Sequence, residues 1–200
     1  MKDPADKSIC IACSIFKSEL EELTARGEVD FPVRYLDSML HMDPAKLHRK
    51  LDSLLRGELK NGKRVILLYG NCHPHMMEQE SLPRVCRVKG MNCPEILLGR
   101  EAYRNLRREG AFILLPEWTM RWREIFETEL GLEEKVAKDF MQDMHSKLLY
   151  LDSGNISVPA EHLMALSDYT GLSWEVIPIG PDHLLAAIRE ALMRMAENER

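Results

Sequence analysis

Ile66-Leu67-Leu68-Tyr69-Gly70-Asn71-Cys72-His73-Pro74-His75 is the stretch whose reading decides the fold. Its apolar run, bounded by Arg64 and Gly70, reads as a strand buried on both faces, the habit of parallel sheets covered by helices. The polar cluster that follows is then the loop at the carboxyl end of the strand, where open α/β sheets place their sites. Within that loop Cys72, His73 and His75 offer soft and borderline ligands to a transition metal.

Working outward, strands and helices alternate. Ser8 to Cys13 is a first strand, and Ser14 is the expected cap of a helix ending near Gly27. Phe31 to Leu36 is a second strand. Asp43-Pro44 opens a helix whose Leu47, Leu51, Leu54 and Leu55 form one apolar stripe. Beyond the central strand come Val85 to Val88, a helix from Pro94 to Leu106 with Gly99 as a close-packing or breaking point, and a strand from Ala111 to Leu115. Two helical stretches, 119–130 and 133–145, lead to a sixth strand, Leu148 to Leu151. Pro159 opens another helix, Trp174 to Ile179 is a late strand, and Pro181 to Met195 is a closing amphipathic helix. The expected fold is one Rossmann-like α/β domain over residues 1–200, with a mostly parallel sheet of about five to seven strands and helices on both faces.

Composition narrows the function. An apolar fraction of 45% with 30% charged residues describes a globular chain able to bury a core. A net charge of −5 counts against a nucleic-acid partner, and the best basic cluster, Arg104, Arg107 and Arg108, is diluted by Glu101 and Glu109. No apolar run reaches the roughly 18 residues needed to span a membrane. Met1 to Lys7 lacks the apolar core of a secretory leader, so a cytoplasmic protein is expected. Five cysteines in such a chain point to thiols or metal ligands rather than a disulfide framework. No dinucleotide fingerprint, phosphate-binding loop or nucleophile elbow is present.

In a single parallel sheet every strand-to-helix loop lies on one edge, so Cys13, His41, Cys72, Cys93, Glu117, Trp118 and Asp152 are expected to face one crevice. Cys13, Cys72 and Cys93 would supply thiolates to zinc or to one iron of a [4Fe-4S] cluster. His41, His73, His75 or Cys10 is the fourth ligand, or that position stays open. Cys10 and Cys86, inside strands, are expected in the core. Gly70, Asn71 and Trp118 are candidates for touching a bound group, and Glu117 and Asp152 for acid/base work on a small-molecule substrate. His48, His145, His162 and His183 read as structural or exposed.

Ile11-Ala12-Cys13, Leu40-His41, Tyr69-Gly70-Asn71-Cys72, Asn92-Cys93 with Ile96-Leu97-Leu98-Gly99, Pro116-Glu117-Trp118 and Asp152-Ser153-Gly154 occur in the order found in the domain of unknown function 1638 family. The chain resembles that family over roughly residues 8 to 155, most specifically in the Tyr-Gly-x-Cys and Cys-x-x-x-Leu-Leu-Gly stretches. The resemblance implies that Cys13, Cys72 and Cys93 are the family's cysteines and share a metal. It also implies a setting in anaerobic one-carbon metabolism beside corrinoid-dependent methyltransferases, either as an enzyme or as a metal-carrying accessory. A metal-free small-molecule binder is the remaining alternative. The family's usual His-Asp before the third cysteine is Met91-Asn92 here, Met42 stands where Asn is common, and Glu117 replaces a glycine.

Overall fold

The computed structural model describes residues 8–197; Met1 to Lys7, read above as no leader, lies outside the described residues. Seven strands occur among them: β1 (Ser8–Cys13), β2 (Val33–Leu36), β3 (Arg64–Leu68), β4 (Val85–Arg87), β5 (Ala111–Leu114), β6 (Lys147–Asp152) and β7 (Trp174–Pro178). The α-helices are α1 (Lys17–Ala25), α2 (Pro44–Lys60), α3 (Met76–Glu80), α4 (Cys93–Leu98), α5 (Arg100–Arg108), α6 (Pro116–Met120), α7 (Glu134–Met144), α8 (Ala160–Thr170) and α9 (Asp182–Glu197). The α/β class and the parallel strands are as the sequence reads. The strands, however, are divided between a four-stranded sheet ordered β2-β1-β3-β4 and a three-stranded sheet ordered β5-β6-β7. Correspondingly the chain forms two compact units, one of residues through Leu97 together with those from Pro181 onward, the other Leu98–Gly180.

In the first unit every residue of β1 and β3 is buried, because these two strands lie at the centre of the sheet and carry apolar side chains on both faces. Helix α2 starts where Asp43 Oδ1 accepts from Lys46 N (2.9 Å) and Pro44 occupies the first turn, and it buries Leu47, Leu51 and Leu55. Helix α9 returns to this unit with Leu184, Ile188, Ala191 and Met195 buried at helical spacing, and its Arg194 Nη2 donates to Arg87 O at 2.6 Å.

In the second unit β6 is central and mostly buried. An aromatic cluster fills its core, with Trp122 and Tyr169 ring centroids 5.0 Å apart and Phe126 set edge-on to Phe112 at 6.0 Å. The Tyr169 hydroxyl donates to Leu132 O.

Local differences from the sequence reading have simple causes. Ser14 does not cap a helix: it opens a one-turn 3-10 segment, Ser14–Phe16, and its Oγ accepts from Ser38 N at 2.9 Å. The helix expected over 94–106 breaks at Gly99, whose φ of 78° and ψ of 157° are open to glycine. Pro116 starts α6 instead of ending a strand, and the stretch after it passes into a π-helical turn, Glu124–Glu129. Helix α3, five residues long, had no expectation in the sequence.

A candidate thiol centre

The order β2-β1-β3-β4 reverses direction between β1 and β3, since β2 lies on one side of β1 and β3 on the other. That reversal is the point where an open α/β sheet leaves a crevice beyond its strand ends. Cys13 is the last residue of β1, and Cys72 lies four residues after β3. Cys93, the first residue of α4, follows β4. The three thiols interact: Cys93 and Cys13 share a side-chain hydrogen bond, and both act electrostatically on Cys72 or are acted on by it.

Backbone packing puts them there. Asn71 N donates to Met91 O at 2.8 Å, joining the loop after β3 to the loop after β4. Gly70 makes that approach feasible, because a Cβ on it would stand 2.5 Å from Met91 O and 2.6 Å from Asn92 Cα. Asn92 Oδ1 accepts from Glu95 N (2.9 Å) and the buried Glu95 returns its Oε2 to Met91 N (3.2 Å), so the turn that presents Cys93 is pinned by reciprocal caps. Gly70 and Asn71, expected to touch a bound group, thus have a scaffolding role in this structure.

The electrostatics follow from burial. The hydrogen bond to Cys13, and then burial, hold the Cys93 thiol well above its usual pKa. Burial, followed by the neighbouring Cys13, pushes Cys72 up to about 11, while the Gly70 backbone N–H and the Arg87 guanidinium pull the other way. Arg87 is itself anchored, with Nε to Glu80 Oε2 at 3.0 Å and Nη1 to the carbonyls of Tyr69 and Gly90, each at 3.3 Å. Cys10, on the other face of β1, is fully buried with its pKa raised to about 12, and Cys86 is buried in β4; both are core residues as expected.

The histidines form a separate group. Buried His73 holds Gln79 Oε1 through Nε2 at 3.0 Å, and Gln79 Nε2 reaches His48 Nδ1 and O, each at 3.4 Å. The His48 ring lies 5.2 Å from His73 and 4.7 Å from His75, centroid to centroid, and His75 Nδ1 meets Glu78 Oε1 at 3.0 Å. A pocket of about 500 Å³ opens beside His48 and His75, with Met42, Asp43, Arg49 and Pro74 on its wall. Sequence reading missed His48, which sits in the second turn of α2; no local spacing links it to the loop at 73–75. His41 is exposed in the 3-10 turn Ser38–Met42, with its pKa lowered by partial desolvation.

The remaining candidates belong to the second unit. Glu117, in the first turn of α6, lies 3.8 Å from Arg121 Nη1. Asp152 Oδ1 accepts from Gly154 N at 2.9 Å in a local turn. Trp118 is half-buried in α6. The expectation that these three share a sheet edge with the cysteines is corrected by the division into two sheets: they follow β5 and β6, not strands of the thiol-bearing sheet.

Among the described residues, no group of three or more Cys, His, Asp and Glu is placed so that it could hold a metal ion. No helix among them is long and apolar enough to cross a membrane. No curated protein and no solved structure matches the chain. A family model described as "Protein of unknown function (DUF1638)" matches residues 35–188, a stretch that holds Cys72 and Cys93 and begins after Cys13. With more than half of its length matched, the chain belongs to the DUF1638 family.

Proposed function

We propose that the first unit is a thiolate-based metal module, in which Cys13, Cys72 and Cys93 together hold a transition metal, either zinc or an iron–sulfur cluster. One observation carries this reading: three thiols from three separate strand ends gather at the reversal point of one sheet. The donor set fits, because thiolates select zinc and iron–sulfur centres over hard cations. Two details support it further. Backbone N–H groups at Gly70 and Cys93 point to sulfur, which favours the thiolate forms, and Arg87 sets a positive charge near Cys72. Bound there, the group would supply Lewis acidity or electron transfer according to its type.

A role in one-carbon or corrinoid methyl metabolism in the cytoplasm, as an enzyme or as a metal-carrying partner of a methyltransferase or corrinoid protein, is the family-level form of this proposal.

The test is anaerobic purification followed by elemental analysis and absorption spectroscopy. About one zinc per chain, or iron with inorganic sulfide and broad visible absorption, supports the module. Metal content unchanged in the Cys13→Ser, Cys72→Ser, Cys93→Ser triple variant refutes it. Turnover-free capture of a methyltransferase would then separate the carrier from the enzyme.

A further inference from the structure

Tyr69 directly follows β3 and is 2% exposed. The parallel register pairs Ala12 with Leu68, so one step further along both chains Tyr69 comes beside Cys13. Its hydroxyl oxygen is buried and has no hydrogen-bond partner, not even a sulfur. Cys13, Cys72, Cys93 and Cys10 all act on it electrostatically. A buried hydroxyl normally finds a partner, since leaving one unsatisfied is costly. This one looks onto the thiol centre and bonds none of its atoms, so the missing acceptor belongs to something other than the protein.

We propose that Tyr69 donates its hydroxyl hydrogen to a non-protein ligand seated on the three-thiolate centre, an anion or heteroatom with a free lone pair. The inference rests on the metal module proposed above and adds to it the chemistry of what completes the site. A phenol hydroxyl carries one hydrogen to donate, so the group it serves is one that accepts. Phenylalanine in its place keeps the ring packing of β3 and removes only the donor.

The experiment uses the full chain, made metal-free under anaerobic reducing conditions, loaded with Co2+ and titrated with azide while the visible bands are followed. In the wild type azide shifts the bands. In Tyr69→Phe the sulfur-to-cobalt bands persist, but azide binds about 10- to 100-fold more weakly, the loss expected for a hydrogen bond to a charged acceptor. Tyr35→Phe, on β2, serves as the control with unchanged azide affinity. Denaturation of metal-free Tyr69→Phe should show a protein at least as stable as the wild type, because an unsatisfied hydroxyl has gone. Equal azide affinity in wild type and Tyr69→Phe, or a loaded wild type that takes no azide, overturns the role of Tyr69 and leaves the metal module standing. A wild type that takes up no Co2+ and no Zn2+, and that forms no cluster when supplied with iron and sulfide anaerobically, overturns the module itself.

Discussion

Replacing Gly70 by alanine tests whether the thiol centre is built by backbone packing. Gly70 does not have the positive φ that would reserve its place for glycine, so alanine can adopt the same backbone. What opposes it is space: the new methyl would meet Met91 O at 2.5 Å, Asn92 Cα at 2.6 Å and Met91 C at 2.8 Å. All three are main-chain atoms, so no rotamer change relieves the clash, and the two loops must part by about 1 Å to restore ordinary contact near 3.5 Å. Overpacking of this kind costs about 1–3 kcal/mol. Parting also strains the 2.8 Å bond from Asn71 N to Met91 O, worth about 0.5–1.5 kcal/mol. Against these, alanine restricts the unfolded chain and returns about 0.4–1 kcal/mol. The net expectation for Gly70→Ala is a loss of about 0.5–4 kcal/mol in urea denaturation of the metal-free protein, with weaker Co2+ binding because Cys93 is displaced from Cys72. Gly57 provides the opposite sign: it lies within α2 with nothing inside 4 Å of its added Cβ. Gly57→Ala should therefore stabilise by about 0.5–1 kcal/mol and leave metal binding alone. A Gly70→Ala protein as stable as Gly57→Ala, with wild-type Co2+ affinity, would refute the reasoning.

Other expectations follow from the same geometry. The raised pKa values of Cys10 (about 12) and Cys72 (about 11) mean that the unfolded thiols ionise first, near pH 9. The contribution of these thiols to metal-free stability should be level below pH 9 and fall by about 1.4 kcal/mol per pH unit for each thiol above it, and a urea midpoint unchanged between pH 8 and 10 would contradict this. Metal uptake near pH 7 should release about three protons per chain, one from each thiol, measurable with an indicator in weak buffer; release of none would mean that the cysteines are not the ligands. His73→Ala should cost about 1–3 kcal/mol by stranding buried Gln79, yet preserve the sulfur-to-cobalt bands, and loss of those bands would make His73 a ligand after all. Asn92→Ala removes the acceptor of Glu95 N and should cost about 1 kcal/mol in thermal or urea denaturation, while an unchanged midpoint would show the cap to be idle.

How far the sequence could be read differs from element to element, for physical reasons. Strands β1 and β3 were legible because a central parallel strand must be apolar at every position, and that requirement appears directly as Ile9 to Ala12 and Val65 to Leu68. The meeting of Cys13, Cys72 and Cys93 was legible for a related reason, since parallel strands of one sheet all finish at one edge. What a strand-helix alternation does not encode is how many sheets it makes. The same pattern serves one sheet of seven strands or sheets of four and three, because pairing is decided by long-range burial. Glu117 and Asp152 were grouped with the cysteines on that assumption alone. His48 was beyond reach because its neighbours at 73 and 75 come from another loop. Tyr69 passed for the last core residue of a strand, since nothing local reveals that its hydroxyl lacks an acceptor.

Taken together, the groups around the reversal point share one electrostatic condition. Without a cation, burial and mutual repulsion drive Cys72, Cys93 and the Tyr69 phenol toward their neutral forms, and Arg87 only partly opposes this at Cys72. A core selected for stability alone would fill such a place with apolar side chains, which need no partner and carry no desolvation cost. Instead the fold fixes the loop backbones through Gly70, Asn71, Asn92 and Glu95, aims N–H groups at sulfur, and leaves a hydroxyl unpaired. A divalent ion held by these thiols, as proposed, would favour their thiolate forms. Buried thiols alone would suit a core, as Cys10 does; the unpaired Tyr69 hydroxyl, Arg87 and the N–H groups beside the sulfurs are the physical reason to propose these three cysteines as ligands.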